Sequence, residues 1–576
     1  MAKRASVRLV ELRMLEGPNL YFTRPAVKLT LAVPAWLAAS EERAADIARR
    51  IGLPGRASPG RPRSEERRRF VTRVASHLSR SLAAQAGTQI AVRARTGHEQ
   101  DEIVVAFPWR RRDAARALGE EIADLLGLVL GTRRTFRALL RERAKKLAAL
   151  EPGPPPSVPR PRVPVVAVTG TNGKTTTVRL LAHLFRTAGL RTAYTSTDGV
   201  YVDGTLVEEG DYSGPSGAAK ALAYPGVDVA VLEVARGGIL LKGMGTAHND
   251  VAVVTNISPD HLGLHGIFTL DQLAEVKATI TRVTKPEGWC VLNADDPRVL
   301  AMRRGARGRS FLFSMDSEHP AIRSALTEGG RGMAPLDGWM TLLAPGPSLQ
   351  PLVRLEEVPS TLAGIASQYV QNAMAAAAAA LGIGLAPGSV VKGLRSFVLD
   401  PERNPGRANL FEVDARVVVV DYAHNEAGMA GLVEICRGLR PPGGEIFLAY
   451  GSAGDRSDEI MHGLGELAAR GADHVLVVEL HRYLRGRDPE DVVRRLRQGA
   501  IDGGAVDVPD FPTEVDGLRW MLDRSKPGDV VAITALAQRP EIFRLMDDRG
   551  GRRVGPARCR QLARAARAVR RPAGVR

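Results

Sequence analysis

The chain has 576 residues, too many for one hydrophobic core, and its 44% hydrophobic and 25% charged content is that of a folded globular protein rather than a disordered or fibrous one. It holds no run of about 18 apolar residues, which argues against a membrane helix. The net charge of +17 comes with no zinc-finger spacing and no aromatic-interleaved RNA motif, so nucleic acid is not the expected partner, although a basic surface still concentrates anionic substrates.

Residues 1–150 read as an α+β module. Residues 7–14 and 27–33 have strand character, residues 65–86 and 112–128 have helical apolar spacing, and residues 89–95 and 102–107 alternate like a hairpin. Nothing in this module has the residue types of a catalytic centre at a telling spacing. Its arginine-rich run at residues 61–69 would either attract an acidic acceptor or simply be solvated. Residues 151–164 contain seven prolines and predict a stiff, extended linker.

Beyond the linker the pattern changes to strand–loop–helix units. Residues 164–169 form an apolar, β-branched run, a Gly-containing loop follows, and residues 176–188 are helical. Residues 228–232, 250–255 and 289–292 are further short apolar runs of the kind found in buried parallel sheets, which collect ligands at their carboxyl ends. An Ala-rich helix is expected over residues 369–381, and a second αβ series over 416–420, 445–449, 474–478 and 529–533. The expected division is therefore 1–150, the 151–164 linker, 165–404, 405–550, and a tail at 551–576. That tail, with nine Arg and no acid, reads as solvated or disordered.

The chemistry concentrates at Val168-Thr-Gly-Thr-Asn-Gly-Lys-Thr-Thr-Thr177, which follows a strand and opens a helix. Backbone N–H groups in such a loop surround phosphate oxygens, Lys174 reaches the terminal phosphates, and the Thr175 hydroxyl holds Mg²⁺. The spacing is shorter than Gly-x4-Gly-Lys-[Ser/Thr], and a Gly/Thr-rich capping turn is the plain alternative.

Thr169-Gly-Thr-Asn-Gly-Lys-Thr175 resembles the nucleotide loop of the Mur ligases, and five further landmarks fall in that family's order. They are Asn256-Ile-Ser-Pro-Asp-His261, Asn293-Ala-Asp-Asp296, Gln371-Asn-Ala-Met-Ala375, Pro405-Gly-Arg407 and Asp421-Tyr-Ala-His-Asn425. Gly210-Asp-Tyr-Ser-Gly-Pro215, Leu232-Glu-Val-Ala-Arg-Gly-Gly-Ile239 and the N-terminal Leu15-Glu-Gly-Pro-Asn19 are similar to the cyanophycin synthetases, whose ATP-grasp domain would stand where only the Pro-rich linker stands here. The resemblance implies an α/β fold: a Mur-ligase central P-loop domain and a C-terminal Rossmann-like domain, preceded by the α+β module.

It also implies ATP and Mg²⁺ as cofactors. Thr171, Asn172, Gly173, Lys174, Thr175 and Thr176 would bind nucleotide, and Thr175, Glu233 and His261 would hold the metal. Asn372, with Asn293 and Asp296 nearby, would approach adenine, Arg407 the terminal phosphate and Asp421 a ribose hydroxyl, with His424 and Asn425 on the same cleft. The family often carries a carbamylated lysine where Lys277 stands. Lys174, Glu233, His261, Lys277 and Arg407 would thus be catalytic.

Bland readings stay open: a loop acid for Glu233, a structural histidine for His261, a helix-surface Asn for Asn372, a solvent-facing lysine for Lys277, and a helix cap for Asp421. Glu479-Leu-His-Arg-Tyr-Leu-Arg-Gly-Arg487 resembles the family's contact with the incoming amino acid, or is only a basic loop. The implied activity is an ADP-forming, ATP-dependent amide-bond ligase that adds an amino acid to a cyanophycin-like or other acidic peptide, working with a separate ATP-grasp enzyme or a preformed acceptor. A peptide or folate-like acceptor, or a relative that has lost catalysis, are the alternatives. Three distant cysteines and no signal-like segment behind Met1 give a cytoplasmic expectation, and homo-oligomerisation stays open.

Overall fold

The computed structural model describes residues 7–55, 58–132, 134–260, 262–346 and 349–570. Three sheets organise it. The N-terminal sheet has four antiparallel strands in the order Arg8–Leu15, Ala26–Ala32, Glu102–Pro108, Arg93–Thr96. One face is covered by the helices Glu65–Gln85, Arg112–Gly131 and Phe136–Ala148, around Phe70, Leu78, Phe107 and Leu126. Leu15, Val104 and Ala106 pack instead with Met244, Ile239 and Ala252 of the next unit. The Leu15–Asn19 segment is tied there by Glu16 N donating to Lys242 O (2.8 Å) and Met244 N to Pro18 O (2.6 Å).

Arg61, Arg63 and Arg69 are exposed, as a solvated run would be, but Arg67 and the linker depart from expectation. Arg67, in the run expected to be solvated or acceptor-binding, is fully buried and donates to the carbonyls of Trp36, Ala39, Pro59 and Gly60. Its aliphatic stem and five donors tie two loops together, which is a structural task. The Pro-rich linker has neither helix nor strand, as expected, but it is not a free spacer. Pro152 and Pro154 carbonyls accept from the first N–H groups of the Arg112–Gly131 helix, whose N-cap Arg111 supplies no side-chain cap.

The central sheet has eleven strands, and its parallel core runs Arg331–Leu336, Arg309–Phe313, Thr284–Asn293, Asn249–Val254, Val165–Thr169, Val229–Glu233, Thr192–Ser196. Antiparallel strands extend both edges. Val165–Thr169 lies between Asn249–Val254 and Val229–Glu233, in the register Val254↔Thr169 and Val168↔Glu233. Three carboxyl ends therefore finish level, where the chain turns into the Lys174–Thr187 helix. The Ser367–Ile383 helix lies flat on this sheet because Ala373 and Ala375–Ala380 bring almost no side-chain bulk and are fully buried.

The third sheet has seven strands, with a parallel core of Asp510–Phe511, His474–Val478, Ile446–Tyr450, Val530–Thr534, Arg416–Asp421. Its far edge is antiparallel, formed by Asn409–Val413 and Arg552–Arg553. Of the tail expected to be solvated or disordered, Pro556–Arg570 is instead a helix with Cys559, Leu562, Ala563 and Ala566 buried, and residues 571–576 lie outside the described residues. Its arginines project outward to Glu412, Glu356 and the Ala363 carbonyl. Arginine content hid an apolar stripe at helical spacing. Among the described residues no helix is long and apolar enough to cross a membrane.

Candidate active site

The loop after Val165–Thr169 needs glycine at two places. Gly170 has φ +149° and a Cβ there would strike the Thr255 hydroxyl; Gly173 has φ +82° and a Cβ there would strike the Asn372 amide. The neighbouring strand end braces the loop. Thr171 N donates to Asn256 O (2.9 Å), Asn172 N to Asn256 Oδ1 (2.9 Å), and Thr255 Oγ1 to Asn172 O (2.7 Å). The Asn256–Ser258 stretch therefore shapes the loop.

Thr175, at the start of the Lys174–Thr187 helix, donates through its hydroxyl to Glu233 Oε2 at 2.9 Å. Glu233 Oε1 is buried with no hydrogen-bond partner, a costly arrangement for a carboxylate. Burial pushes the Glu233 carboxyl up, against the pull of Lys174, Arg407 and the Thr175 hydroxyl. An orphaned carboxylate oxygen beside a hydroxyl is a fit for a divalent cation, which takes oxygen ligands and restores the ionised form. Lys174 Nζ meanwhile donates to Thr171 O (2.9 Å).

Lys277 is buried, not solvent-facing, and its Nζ donates to Gly170 O at 2.6 Å. Burial, with Lys174 nearby, holds its ammonium well below the ordinary lysine range.

Lys174, Thr175, Glu233, Lys277 and Arg407 line one cleft of about 550 Å³, together with Asp260, Arg236, Asp455, Arg456 and Tyr483. An adjoining smaller cavity is lined by Asn172, Gly173, Thr176, Asn372, Arg407 and Asp421. Arg407 faces both, its guanidinium 4.7 Å from the Tyr422 ring centroid. Asp421 Oδ2 accepts from Tyr369 Oη (3.0 Å) and Ala408 N (2.7 Å), and burial pushes its carboxyl up despite Arg407. Asp421 does not cap the following helix: Asn425 does, accepting from Gly428 N.

The structure does not bring Asn293 and Asp296 to either cavity. Asn293 is spent on Thr255 O and Asp295 N, while Asp296 accepts from Ile257 N and caps the Pro297–Ala301 helix. Both support the loop from behind. Asp295 instead meets Gln371 Nε2 at 2.9 Å. His261 lies outside the described residues.

Cross-domain contacts also define the cleft. Asn172 and Asn425 exchange a reciprocal amide pair at 3.1 and 3.0 Å. Arg456 donates to Asp260 (2.6 Å) and Arg539 to Asp198 (3.0 Å). Sequence reasoning quoted Asp260 within the Asn256–His261 landmark but gave it no role, and it gave none to Arg456, Asp198, Arg539 or Tyr369. The signal for Asp260 is that landmark, after the end of the buried Asn249–Val254 strand. Burial brings the neighbouring His424 imidazole down to about 4, so it stays neutral beside Asp260.

The model of the Mur ligase middle domain matches residues 168–380, and that of the Mur ligase glutamate ligase domain matches residues 406–536. The chain belongs to the Mur ligase family. Among Mur-type relatives, the cyanophycin synthetase of Synechocystis sp. is 42% identical over 384 residues, covering 66% of this chain and 43% of that protein. The chain thus spans less than half the length of the cyanophycin synthetases it matches. The UDP-N-acetylmuramyl-tripeptide synthetase of Deinococcus radiodurans is 29% identical over 433 residues, 73% of this chain and 81% of that protein. E. coli FolC in complex with DHPP and ADP shares the Mur ligase fold, with a TM-score of 0.50 and 20% identity over 68% of this chain and 91% of its own.

Proposed function

We propose that this chain is an ATP-dependent, ADP-forming ligase that joins an amino acid to a carboxylate-bearing acceptor through an acyl phosphate. The observation that carries the reading is the meeting of Lys174, Thr175 and Glu233 with Arg407 of the following unit on one cleft. In the first displacement an acceptor carboxylate oxygen attacks the γ-phosphorus, and the β–γ bridging bond breaks to release ADP. In the second, the amine attacks the acyl carbon, phosphate leaves, and the amine gives up a proton. No side-chain nucleophile is needed, so the protein's work is positioning and charge neutralisation.

Loop N–H groups and Lys174 hold the terminal phosphates, and the Arg407 fork neutralises charge that builds on them. Thr175 and Glu233 would hold Mg²⁺, which supplies Lewis-acid stabilisation of the phosphoryl group. Asn372 and Asp421 line the adjoining small cavity, on the side of the loop where the nucleoside of ATP would lie.

For the acceptor we favour an acidic peptide of the cyanophycin type, on the likeness to the cyanophycin synthetases. The broad match along the Deinococcus tripeptide synthetase supports a muramyl-peptide-like acceptor as the second reading. The test supplies ATP, Mg²⁺, single amino acids and either acceptor, and follows ADP and the new amide by mass spectrometry. Hydroxylamine in place of the amine should trap an acyl hydroxamate. Release of AMP and pyrophosphate would refute the phosphoryl-transfer route.

A further inference from the structure

The N-terminal module holds a feature that the ligase reading does not use. Register Ala26↔Pro108 places Arg24 and the Arg110–Arg111 pair at the same end of the sheet, and Trp109 N donating to Pro25 O (3.1 Å) fixes them side by side. Behind them opens a cavity of about 470 Å³, a volume that suits a small molecule. Its floor is apolar, with Phe107, Trp109, Leu118 and Leu147. The Trp109 indole N–H is already spent on Leu15 O (3.1 Å), so the ring offers only its face.

The rim is cationic and unbalanced. Arg24, Arg110 and Arg111 are exposed, no Asp or Glu lines the cavity, and none of the three guanidinium groups has a hydrogen-bond or ion-pair partner among the described residues. Three other arginines of the module are paired with carboxylates, Arg112 with Glu16, Arg143 with Glu121 and Arg13 with Glu11, and none of those pairs lines the cavity. Residues 1–150 carry 30 Lys and Arg against 15 Asp and Glu, so the surroundings add to the field rather than cancel it. Three arginines lining a cavity that also holds apolar side chains favour a ligand with an apolar body and one anionic head, because the planar fork recognises carboxylate or phosphate.

We infer that this cavity is a second ligand site, for a small amphipathic anion, separate from the nucleotide cleft, with which it shares no lining residue. Calorimetry on the full chain with 1-naphthoate, 1-naphthyl phosphate, 1-naphthalenemethanol and inorganic phosphate tests it. One of the two naphthyl anions should bind at a single site, about tenfold or more tighter than the neutral alcohol and than inorganic phosphate. Which anion wins decides between a carboxylate and a phosphate ligand.

The Arg110→Ala/Arg111→Ala variant should weaken that binding about tenfold, the usual effect of losing a charge-assisted contact. Ala114→Phe, at a half-buried position lining the cavity, should block it, and both variants should keep the parent's melting temperature and ATP binding. Equal binding of the alcohol, retention of affinity in both variants, or no binding at millimolar concentration would overturn the inference. So would an Asp-rich peptide without apolar residues that binds there more tightly than either anion, since the surface would then be a track for acidic chains.

Discussion

Glu233→Gln should separate function from stability. The parent buries a carboxylate whose Oε2 accepts from Thr175 while Oε1 has no partner. Burial raises its folded-state pKa above the ordinary 4.5, so between those two values the native state binds more protons than the unfolded state. Stability linked to this group is therefore fully present below about pH 4.5 and is lost as pH rises through the raised value. Gln keeps an acceptor for Thr175 and removes the charge.

The Gln Nε2 would be as unpartnered as Oε1 is, so any gain comes from removing a buried charge, and the extra desolvation cost of the charged form, about 1–3 kcal/mol, sets its upper limit. Lost attraction to Lys174 and Arg407 works against it, but Lys174 has Thr171 O and Arg407 has the Tyr422 ring, and both face the open cleft. In Mg²⁺-free buffer the variant should melt at the same temperature or higher at pH 8, by roughly 2–4 °C per kcal/mol for a domain of this size, and the difference should shrink at pH 5. With Mg²⁺ its turnover should fall about 100-fold or more, since a metal's Lewis-acid contribution is several kcal/mol. Thermal melts and ADP release measure the two halves. A variant less stable than the parent by about 2 kcal/mol, or one with normal turnover and an unchanged Mg²⁺ titration, would refute the reasoning.

Gly173→Ala places a Cβ at φ +82° against the Asn372 amide, so ATP affinity should drop about tenfold or more while stability falls by only about 1–2 kcal/mol; titration with a fluorescent ATP analogue checks it. Asn425→Ala removes both a helix cap and the amide pair with Asn172, so a stability loss of about 1–3 kcal/mol should accompany a raised KM for ATP, whereas Asn425→Asp should recover most of the stability through its cap. Truncation before Pro556 uncovers the face that Leu562, Ala563 and Ala566 bury, and light scattering on heating should show earlier aggregation than for the parent.

Much of the central fold was legible because its signals are local. The β-branched run ending at Thr169 is a strand, the helix opens at Lys174, and the short apolar runs before Glu233 and Asn256 are the neighbouring strands. Thr192–Ser196, an interior strand of small and polar residues, and the edge strand Leu349–Arg354 carry no clear apolar run that marks them in the sequence. The site was legible as a loop with its flanking acid, and the spatial meeting of Glu233 with Thr175 follows from strand register. Asn293 and Asp296 show the limit: the motif is where it was expected, but its side chains face the backbone they brace. Pairs such as Asp260–Arg456 and Asp198–Arg539 join residues far apart in the chain, and no periodicity encodes them. The closing helix was hidden for a different reason, since charge content outweighed the sparse apolar stripe that docks it.

The central claim is that ATP is cleaved at the loop holding Lys174, in step with amide formation. It is tested most directly by ADP release from Lys174→Ala and parent proteins in the presence of ATP, Mg²⁺, an amino acid and a carboxylate-bearing acceptor, with matched circular dichroism spectra. The parent should release ADP beyond roughly one equivalent per enzyme only when both the acceptor and the amine are present, and the variant should release none above background while remaining folded. Undiminished, substrate-dependent ADP release by the variant would contradict the account.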